Sequence, residues 1–239
     1  MRFDFITIFP KMFDSYLSES ILKRAQKKGL LSFQAHDLRK WTLNKHKKVD
    51  DKPYGGGPGM IMMIEPIFRA LKALRSWGAK KQKTTRVIIL SAKGKQFTSA
   101  DAVRLSKKFK RIVFICGRYE GVDERVTKYL AHEEFSIGPY VVTGGELPAM
   151  IMADAISRQI PGVLGKAESL AEESYSSAPS IHYSTTSLIH YSTDQKEYPQ
   201  YTRPEIFKPK ADVSWRVPKI LLSGDHKKIS AWRKKMAKG

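Results

Sequence analysis

Cysteine, acidic side chains and long apolar stretches are all scarce in this sequence, and each shortage excludes a class of protein. Its 239 residues include one cysteine, Cys116, so an internal disulfide and a cysteine-ligated metal cluster are both excluded. Cys116 lies in an apolar run and is expected to be a small buried side chain rather than a nucleophile. No run approaches the roughly 20 apolar residues of a membrane-spanning helix, and the apolar start is short and contains Asp4, unlike a signal peptide. We therefore expect a cytoplasmic protein without a membrane partner.

The shortage of acidic residues leaves a large positive charge. Lysine and arginine total 43 against 23 aspartates and glutamates, for a formal net charge of +20. This excess favours a polyanionic partner, because each phosphate that a cation neutralises releases condensed counterions. Nucleic acid is the leading candidate, since no lipidation signal or apolar anchor supports an anionic membrane surface. The histidines His182, His190 and His226 lack metal-ligand spacing, so no metal site is predicted from them.

Apolar spacing in the first third of the chain predicts a strand, a helix and a second strand. Residues 3–9 and 30–35 are strand-like. Between them, after Pro10, apolar side chains recur every four residues until Gly29, which predicts one amphipathic helix. The apolar positions of that helix are Phe13, Leu17, Ile21 and Ala25. Periodicity then stops over 41–59, a predicted loop, and resumes over 60–74 as a predicted helix.

Two later apolar runs, 86–90 and 112–116, lack alternation, which is typical of strands buried on both faces of a parallel sheet. Thr98 is placed to cap a helix between them, with Asp101 three residues on. This order of elements predicts an α/β fold. Small-residue turns follow the predicted strands at 91–94, 117–121, 136–138 and 143–145. Because ligands bind at the carboxyl ends of parallel strands, these turns predict one concave, backbone-lined pocket.

The composition divides the chain into three parts. Residues 1–165 hold the predicted sheet and end in a helix over 146–160. Residues 166–200 are rich in Ser, Thr, Ala, Glu and Tyr and lack a core pattern, so we expect a flexible linker. Residues 201–239 contain a last helix capped by Asp225 but too few apolar residues for a core of their own. We expect this tail to dock on the main domain or on a partner subunit.

Two glycine-rich segments carry polar side chains suited to ligands. Residues 54–60 read Tyr-Gly-Gly-Gly-Pro-Gly-Met and lack the Gly-Lys-Ser/Thr of a phosphate-binding P-loop. A tight structural loop and a binding loop both fit this segment, although the flanking basic residues favour a surface that faces RNA. Those flanking residues are His46, Lys47, Lys48 and Lys52. Residues 117–125 crowd charges after a buried strand; they either hold a polar cofactor, which we favour, or pair with each other.

Seven blocks, in order over nearly the whole chain, resemble the bacterial tRNA (guanine-N1)-methyltransferases of the knotted SPOUT class. The blocks are residues 5–13, 49–60, 116–125, 136–138, 144–150, 157–165 and 201–205. The resemblance implies an α/β fold with a SPOUT-type parallel sheet, a deep C-terminal trefoil knot, a small mainly helical C-terminal domain and a homodimer. It implies methyl transfer from S-adenosylmethionine to N1 of the guanine 3′ of the anticodon in tRNA, which maintains the reading frame. It implies no DNA partner.

The resemblance also assigns residues to sites. Those implied to line the S-adenosylmethionine site are Leu90, Ser91, Gly117, Tyr119, Glu120, Gly121, Ser136, Ile137, Gly138, Tyr140, Val141, Val142, Gly144, Gly145 and Pro148. Those implied to contact RNA are His46, Asp50, Tyr54, Gly57 and Arg203. Residues 1–165 then form the knotted catalytic domain, 166–200 the linker that carries the catalytic carboxylate, and 201–239 the tRNA-binding domain. Glu197 falls where the family has a further aspartate on the cofactor side.

Catalysis at guanine N1 requires a base, because the protonated nitrogen is a poor nucleophile. The family's base is an aspartate in the linker, and ungapped counting from Gly165 places Glu173 there, with Glu172 as a neighbouring candidate. Arg158 matches the family's arginine, which stabilises negative charge on guanine O6. Mg²⁺ is a further implied requirement, with Glu120 and Glu173 as candidate contacts. We expect the segment around Glu173 to become ordered, across the dimer interface, when tRNA and cofactor bind.

Departures from the family pattern keep alternatives open. The base position holds a glutamate, the stretch after it is longer than usual, Pro139 replaces an aspartate, residues 91–94 lack the common Pro-Gln, and the tail is short. A catalytically weak or silent knotted RNA-binding protein is therefore the main alternative. An enzyme that modifies ribosomal RNA is another, and the blocks at 54–60 and 201–205 argue against it, because both look specific to the tRNA enzyme.

Overall fold

The computed structural model describes residues 1–76, 82–164 and 197–237. Its strands are β1 Arg2–Thr7, β2 Ser32–Asp37, β3 Asp50–Asp51, β4 Ile61–Met62, β5 Thr85–Gln96, β6 Arg111–Ile115, β7 Glu133–Ser136, β8 Ile206–Lys210 and β9 Val213–Arg216. Its α-helices are α1 Asp14–Leu17, α2 Ser20–Lys27, α3 Ile64–Ala73, α4 Ser99–Lys108, α5 Glu124–Tyr129, α6 Glu146–Arg158 and α7 His226–Met236. Short 3₁₀ helices cover Pro10–Phe13, Leu38–Trp41, Gln82–Thr84 and Lys219–Leu222. Within these ranges, no helix combines the length and the apolar character that crossing a membrane requires.

A parallel sheet of five strands, in the order β2-β1-β6-β5-β7, forms the centre of the molecule. Apolar side chains of α2, α4 and α6 cover one face, and those of α3 and α5 cover the other. Along β6, Phe114 faces the first core whereas Val113 and Ile115 face the second. This explains the lack of alternation in the apolar runs and confirms the predicted α/β fold with a parallel sheet. Cys116 is fully buried, and burial raises the pKa of its thiol well above the ordinary value.

Between β7 and α6 the chain returns across the carboxyl ends of β5 and β6. The Gly145 amide donates to the Gly117 carbonyl at 2.8 Å. A Cβ atom on Gly145 would lie 2.8 Å from the Cα of Cys116, so only glycine permits this approach. Residues 137–145 are therefore pressed against the turn that follows β6, and the predicted small-residue turns meet at one edge of the sheet.

The prediction of one continuous helix after Pro10 is wrong, because the helix is broken between Leu17 and Ser20. The first part ends at Leu17, and α2 begins at Ser20, whose φ of +51° lies outside the right-handed helical region. The Gln26 side chain donates to the Leu17 carbonyl at 2.6 Å, which satisfies the exposed helix end. After the break, Leu22 is buried and Ile21 is exposed, so the regular spacing assigned Ile21 to the wrong face.

Two other predicted boundaries differ from the structure. The helix predicted over 60–74 begins at Ile64, because Ile61–Met62 forms β4 and pairs with β3 inside the stretch predicted as loop. The predicted turn at 91–94 is a bulge within β5, since Leu90 and Lys95 both pair with Phe135 of β7. Gly94 is required there, because a Cβ would lie 2.7 Å from the backbone of Phe135.

The C-terminal tail docks on the main domain, as one of the two predicted alternatives stated. It begins with a hairpin of β8 and β9 that the sequence pattern did not predict. The rings of Phe207 and Trp215 pack against Phe68 of α3, with ring centroids 5.1 and 6.5 Å away. A smaller cluster of Val217, Leu221 and Ile229 joins α7 to the preceding 3₁₀ helix. Of the predicted linker, residues 166–196 lie outside the described residues, and residues 197–200 lie against the turn after β6.

A buried carboxylate ties β1 to its two neighbours in the sheet, β2 and β6. Asp4 of β1 has no exposed surface and accepts hydrogen bonds from Arg2 at 2.9 Å and from Arg111 at 2.7 Å, and its Oδ1 lies 2.6 Å from His36 Nε2. Burial alone would raise the pKa of Asp4, but these three partners together hold it far below the ordinary value. The ionised carboxylate therefore stabilises the fold above the unfolded-state pKa of about 4, and this contribution is lost as the pH falls below it.

We predict that Asp4→Asn lowers the free energy of unfolding by about 3 kcal/mol at pH 7, because cationic partners lose a buried counter-ion. The deficit should shrink as the pH falls from 5 towards 2. Urea denaturation across this range measures both effects. Asp212→Asn, at an exposed position, is the control and should change stability by less than about 0.5 kcal/mol. A deficit that does not depend on pH would contradict the role of the ionised carboxylate.

Candidate cofactor and RNA site

A cleft opens at the carboxyl ends of β5, β6 and β7. Its empty space, including the part that opens to solvent, is about 940 Å³. Three loops form its walls: residues 89–93 at the β5 bulge, 117–122 after β6 and 140–145 before α6. Residues 197, 198 and 200 of the C-terminal part form a fourth wall. Residues 134–137 at the end of β7 complete the lining, so the fold places several separate chain segments around one cavity.

The residues assigned to the cofactor by resemblance line this cleft, with one exception. The lining includes Leu90, Ser91, Gly117, Tyr119, Glu120, Gly121, Ser136, Ile137, Tyr140, Val141, Val142, Gly144, Gly145 and Pro148. Gly138 is not part of the lining. Its amide and carbonyl are both bonded to the Ser136 hydroxyl, at 3.2 and 2.9 Å. Its backbone holds the turn, and the turn presents neighbouring residues to the cleft.

Glu134 on β7 is a cleft residue that the sequence analysis missed. Within the described ranges, its Oε1 atom is buried without a hydrogen-bond partner. Burial raises the pKa of Glu134. The Lys93 ammonium and a hydrogen bond with Ser91 act against that rise, whereas the carboxylates of Glu124 and Glu197 add to it. The available signal was a pair of glutamates immediately before Phe135 in a strand that is otherwise buried. An unpaired buried acceptor in a cleft is suited to a ligand that donates a hydrogen bond or carries positive charge.

The cleft is acidic, although the chain as a whole is strongly basic. Its lining includes the carboxylates of Glu120, Glu124, Glu134 and Glu197. The two lining cations are already paired: Lys93 Nζ lies 2.5 Å from Glu124, and Arg118 Nε lies 2.8 Å from the buried Glu146. The described lining therefore favours a ligand that carries a positive charge.

The crowded charges at 117–125 divide into two groups. Asp123 pairs with Arg125 at 2.8 Å, and neither side chain lines the cleft, so these two charges fix each other. Arg118, Glu120 and Glu124 line the cleft, although Arg118 and Glu124 are already paired. The interpretation that these three side chains hold a polar cofactor stays a prediction.

Residues assigned to RNA lie beside the cleft on one surface. Asp50 shares a hydrogen bond with Tyr119, and burial together with the Asp50 carboxylate raises the pKa of Tyr119. Arg203 pairs with Asp51 at 2.8 Å, and its guanidinium lies 5.8 Å from the centre of the Tyr54 ring. The structure thus brings three of the assigned residues together across distant parts of the sequence.

The two remaining RNA candidates lie near that surface without joining the cluster. His46 is exposed four residues before Asp50. Gly57 belongs to a loop that also has a structural role, because Arg233 of α7 donates to the Gly56 carbonyl at 2.5 Å. The φ values of Gly55, Gly56, Gly57 and Gly59 lie between +69° and +128°, so glycines are required by the loop itself.

Arg158 is not in the cleft of its own chain. It ends α6 and lines a separate cavity with Thr98 and Ser99 near the start of α4. Along α6, spacings of three and four residues place it on the same side as Leu147 and Ile151, both of which are exposed. The candidate bases Glu173 and Glu172 lie outside the described residues.

Candidate metal ligands do not converge in the described ranges. No group of three or more His, Cys, Asp or Glu residues there is arranged so that it can hold a metal ion. Glu120 faces the cleft without such companions, and Glu173 lies outside the described residues, so a Mg²⁺ contact stays a prediction.

Known proteins similar to this chain match it over nearly its whole length. The family model described as "tRNA (Guanine-1)-methyltransferase TrmD" matches residues 1–239. A tRNA (guanine-N(1)-)-methyltransferase from Thermomicrobium roseum is 49% identical over 99% of this chain and 79% of the relative. Relatives with that name from Dictyoglomus turgidum and Halalkalibacterium halodurans are 47% and 44% identical, each over 99% of this chain and over 85% and 86% of the relative.

We predict that Glu134→Gln stabilises the ligand-free protein by about 1 kcal/mol at pH 8, because a neutral side chain avoids burying a charged group whose Oε1 atom lacks a hydrogen-bond partner. For a carboxyl with a raised pKa, the destabilisation develops as the pH rises above the ordinary value of 4.5 and continues to the folded-state pKa. The two proteins should therefore be equally stable below that range. Thermal unfolding at pH 4 and pH 8 measures the difference.

Glu133→Gln is the matched control, because it alters the neighbouring glutamate on the same strand. Burial would raise the pKa of Glu133, but hydrogen bonds from Arg104 and Arg86 outweigh it and lower the pKa. This substitution should therefore destabilise the protein at pH 8. Destabilisation by both substitutions would contradict the assignment of an unpaired charge to Glu134.

Proposed function

Because the chain belongs to the tRNA (guanine-1)-methyltransferase family, we propose that it methylates N1 of guanine 37, the guanine immediately 3′ of the anticodon in tRNA. The chain is a methyltransferase, and tRNA is its substrate. The observation that carries the assignment is the match of the family model to residues 1–239. We expect the protein in the cytoplasm, where its substrate is modified. The names of the similar proteins favour an active enzyme over a silent RNA-binding protein.

S-adenosylmethionine is the methyl donor that the family implies, and two observations support its fit to the cleft. Glycines such as Gly117, Gly121 and Gly144 line the cleft without side chains, so that a purine and a ribose can approach the backbone closely. The unpaired Glu134 oxygen and the acidic lining suit a ligand with cationic groups. When bound, this cofactor supplies a methyl group on a positively charged sulfur. Leu90, Ile137 and Pro148 would contribute the apolar part of its surroundings.

The chain's own groups would move one proton and stabilise one developing charge. A carboxylate at Glu173, or at the neighbouring Glu172, accepts the proton from guanine N1, so that its electron pair becomes available to the methyl group. The Arg158 guanidinium donates to guanine O6, on which negative charge accumulates as the proton leaves. The cleft walls hold the reactants in position, because a methyl transfer requires the two reacting atoms to be aligned. No step is assigned to Mg²⁺, because the described residues offer no ligand set for it.

A homodimer would account for the position of Arg158 outside its own cleft. The exposed apolar side chains of Phe9, Met12, Tyr16, Leu147 and Ile151 indicate an interface, because such groups rarely cluster on a free surface. Arg118 connects this surface to the cleft: its guanidinium lies 4.9 Å from the centre of the Phe9 ring and lines the cleft mouth. A second copy against α6 would therefore bring Arg158 of one protomer towards the cleft of its partner.

The crossing of residues 137–145 supports the proposed trefoil knot. This segment runs from the edge strand β7 to the end of β6 and then continues into α6 on the first face of the sheet. Contacts at both Gly94 and Gly145 leave no room for a side chain, as expected where chain segments pass each other closely. If residues 137–145 are threaded through the neighbouring loop as in a knot, this close packing would hold the loops around the cofactor in place.

We predict methyl transfer from labelled S-adenosylmethionine to a tRNA transcript with guanine at positions 36 and 37. A transcript with adenine at position 37 should accept no label.

Glu173→Gln should lower the single-turnover rate about 10²- to 10⁴-fold, because the amide cannot accept the N1 proton. Glu172→Gln is the matched control and should retain activity. If the loss follows Glu172→Gln instead, the base is Glu172; cofactor binding by wild type without transfer would establish the silent RNA-binding alternative.

We predict that Ile151→Glu converts the dimer into a monomer near 27.2 kDa in sedimentation equilibrium, because a charge enters the apolar face of α6. Methyl transfer should fall at least about tenfold if Arg158 acts on the partner's cleft. Ile21→Glu alters an equally exposed isoleucine outside this face and should leave a dimer with unchanged activity. A monomeric wild type at micromolar concentration, or an active Ile151→Glu monomer, would contradict the shared site.

A further inference from the structure

Arg125 has an unusual position for an arginine, because it is almost completely buried at 1% exposure. Its Nε and Nη2 atoms both donate to the fully buried carboxylate of Asp123 at 2.8 Å. Its remaining donors reach backbone carbonyls of the C-terminal part, Thr202 at 2.6 Å and Pro204 at 2.7 Å. Asp123 in turn accepts from the Thr202 amide at 2.8 Å. One ion pair thus fixes the amide and the carbonyl of Thr202, more than 75 residues away in the sequence.

Asp123 and Arg125 hold residues 200–204, the bridging segment. At one end the Gln200 carbonyl accepts from the Glu124 amide at 2.8 Å, and the Gln200 side chain donates to the Glu120 carbonyl at 3.2 Å. Gln200 itself lines the cofactor cleft, together with Glu197 and Tyr198 just before it. This end of the bridging segment therefore forms a wall of the cleft and supports the loop that carries Glu120.

The other end of the bridging segment belongs to the surface assigned to RNA. The Thr202 hydroxyl donates to the Lys52 carbonyl at 2.7 Å, and the Tyr54 amide donates to the Tyr201 carbonyl at 2.8 Å. The next residue, Arg203, pairs with Asp51 and lies near the ring of Tyr54. Residues 200–203 of the bridging segment thus connect the cleft wall to the RNA-facing cluster of Asp51, Tyr54 and Arg203.

We propose that Asp123 and Arg125 are positioning residues that hold the bridging segment as a wall shared by the cofactor cleft and the tRNA surface. Neither side chain lines the cleft, so both act through the backbone that they fix. An arginine is needed, because its planar fork bonds the carboxylate and two carbonyls at once, whereas a lysine offers one compact ammonium group. This inference rests on the proposed function, since it assigns the two sides of the wall to S-adenosylmethionine and tRNA.

The chain contains a close chemical match for a control. Arg111 donates to the fully buried Asp4 at 2.7 Å and to the Leu74 carbonyl at 2.7 Å. It lies at the amino end of β6, whereas Gly117 of the cleft follows the carboxyl end of the same strand. A strand of this length separates the two networks by roughly 17 Å. Arg111→Lys therefore removes an arginine that is only partly buried, but that also bonds a fully buried carboxylate and a backbone carbonyl, at the end of β6 opposite to the cleft.

The test compares wild type, Arg125→Lys and Arg111→Lys as full-length proteins. Calorimetry measures S-adenosylmethionine binding, filter binding measures tRNA binding, and thermal unfolding measures stability. Both variants should lose stability, but Arg125→Lys should weaken both ligands about tenfold, because a displaced wall misplaces contacts on each side. Arg111→Lys should keep both dissociation constants within about twofold of wild type. Unchanged binding in Arg125→Lys, or equal weakening in both variants, would overturn the proposal.

Hydrogen exchange on the ligand-free proteins separates this proposal from the function on which it rests. The Thr202 and Glu124 amides should exchange at least about tenfold faster in Arg125→Lys and at the wild-type rate in Arg111→Lys. A wild type that binds neither ligand would refute the proposed function, whereas exchange that is unaltered in Arg125→Lys would refute the positioning role.

If Arg125→Lys does not fold, Thr202→Val tests the bridging segment instead. It removes the bond to Lys52 and should weaken tRNA binding but not cofactor binding; unchanged tRNA binding would overturn the proposal.

Discussion

Between β7 and α6 the chain crosses the end of β6 so closely that the Gly145 amide bonds the Gly117 carbonyl at 2.8 Å. A parallel sheet alone would leave the turns after its strands separate and open to solvent. The crossing presses the segment that follows β7 against the turn that follows β6, and the bulge in β5 closes the third side. Backbone segments in direct contact therefore set the shape of the cleft. Gly94 and Gly145 cannot be replaced by another residue, because a Cβ atom at either position would collide with neighbouring backbone.

Charge is separated in space in a way that the net charge conceals. The sequence carries a formal charge of +20, yet carboxylates dominate the described lining of the cleft. A basic exterior attracts tRNA from a distance, because the potential of the whole surface acts over roughly a Debye length. The acidic cleft acts only on a small ligand that enters it. This separation of charge therefore suits one protein to two ligands of opposite charge, without competition between their electrostatic requirements.

Much of the fold could be predicted from the sequence, because it depends on local patterns. The unalternating runs predicted parallel strands, and Thr98 does cap α4 by accepting from the Asp101 amide at 3.3 Å. The errors have non-local causes. The break at Ser20 and the exposure of Ile21 depend on how α2 meets the sheet, and the bulge after Leu90 depends on pairing with Phe135. Glu134 was missed because a glutamate on a strand carries no sign, in sequence, of which residues surround it.

Two features at the cleft break local rules that the charge networks of the sheet obey. Tyr119 has a φ of +61°, and the buried Oε1 atom of Glu134 has no hydrogen-bond partner within the described ranges. By contrast, the carboxylates of the fully buried Asp4 and Asp123 are bonded by arginines. The strained tyrosine and the unsatisfied oxygen destabilise the free protein, and they persist where a ligand can relieve the cost. Such departures also occur away from the cleft, as at the buried hydroxyl of Ser157, so they support the functional site only together with the lining of the cleft.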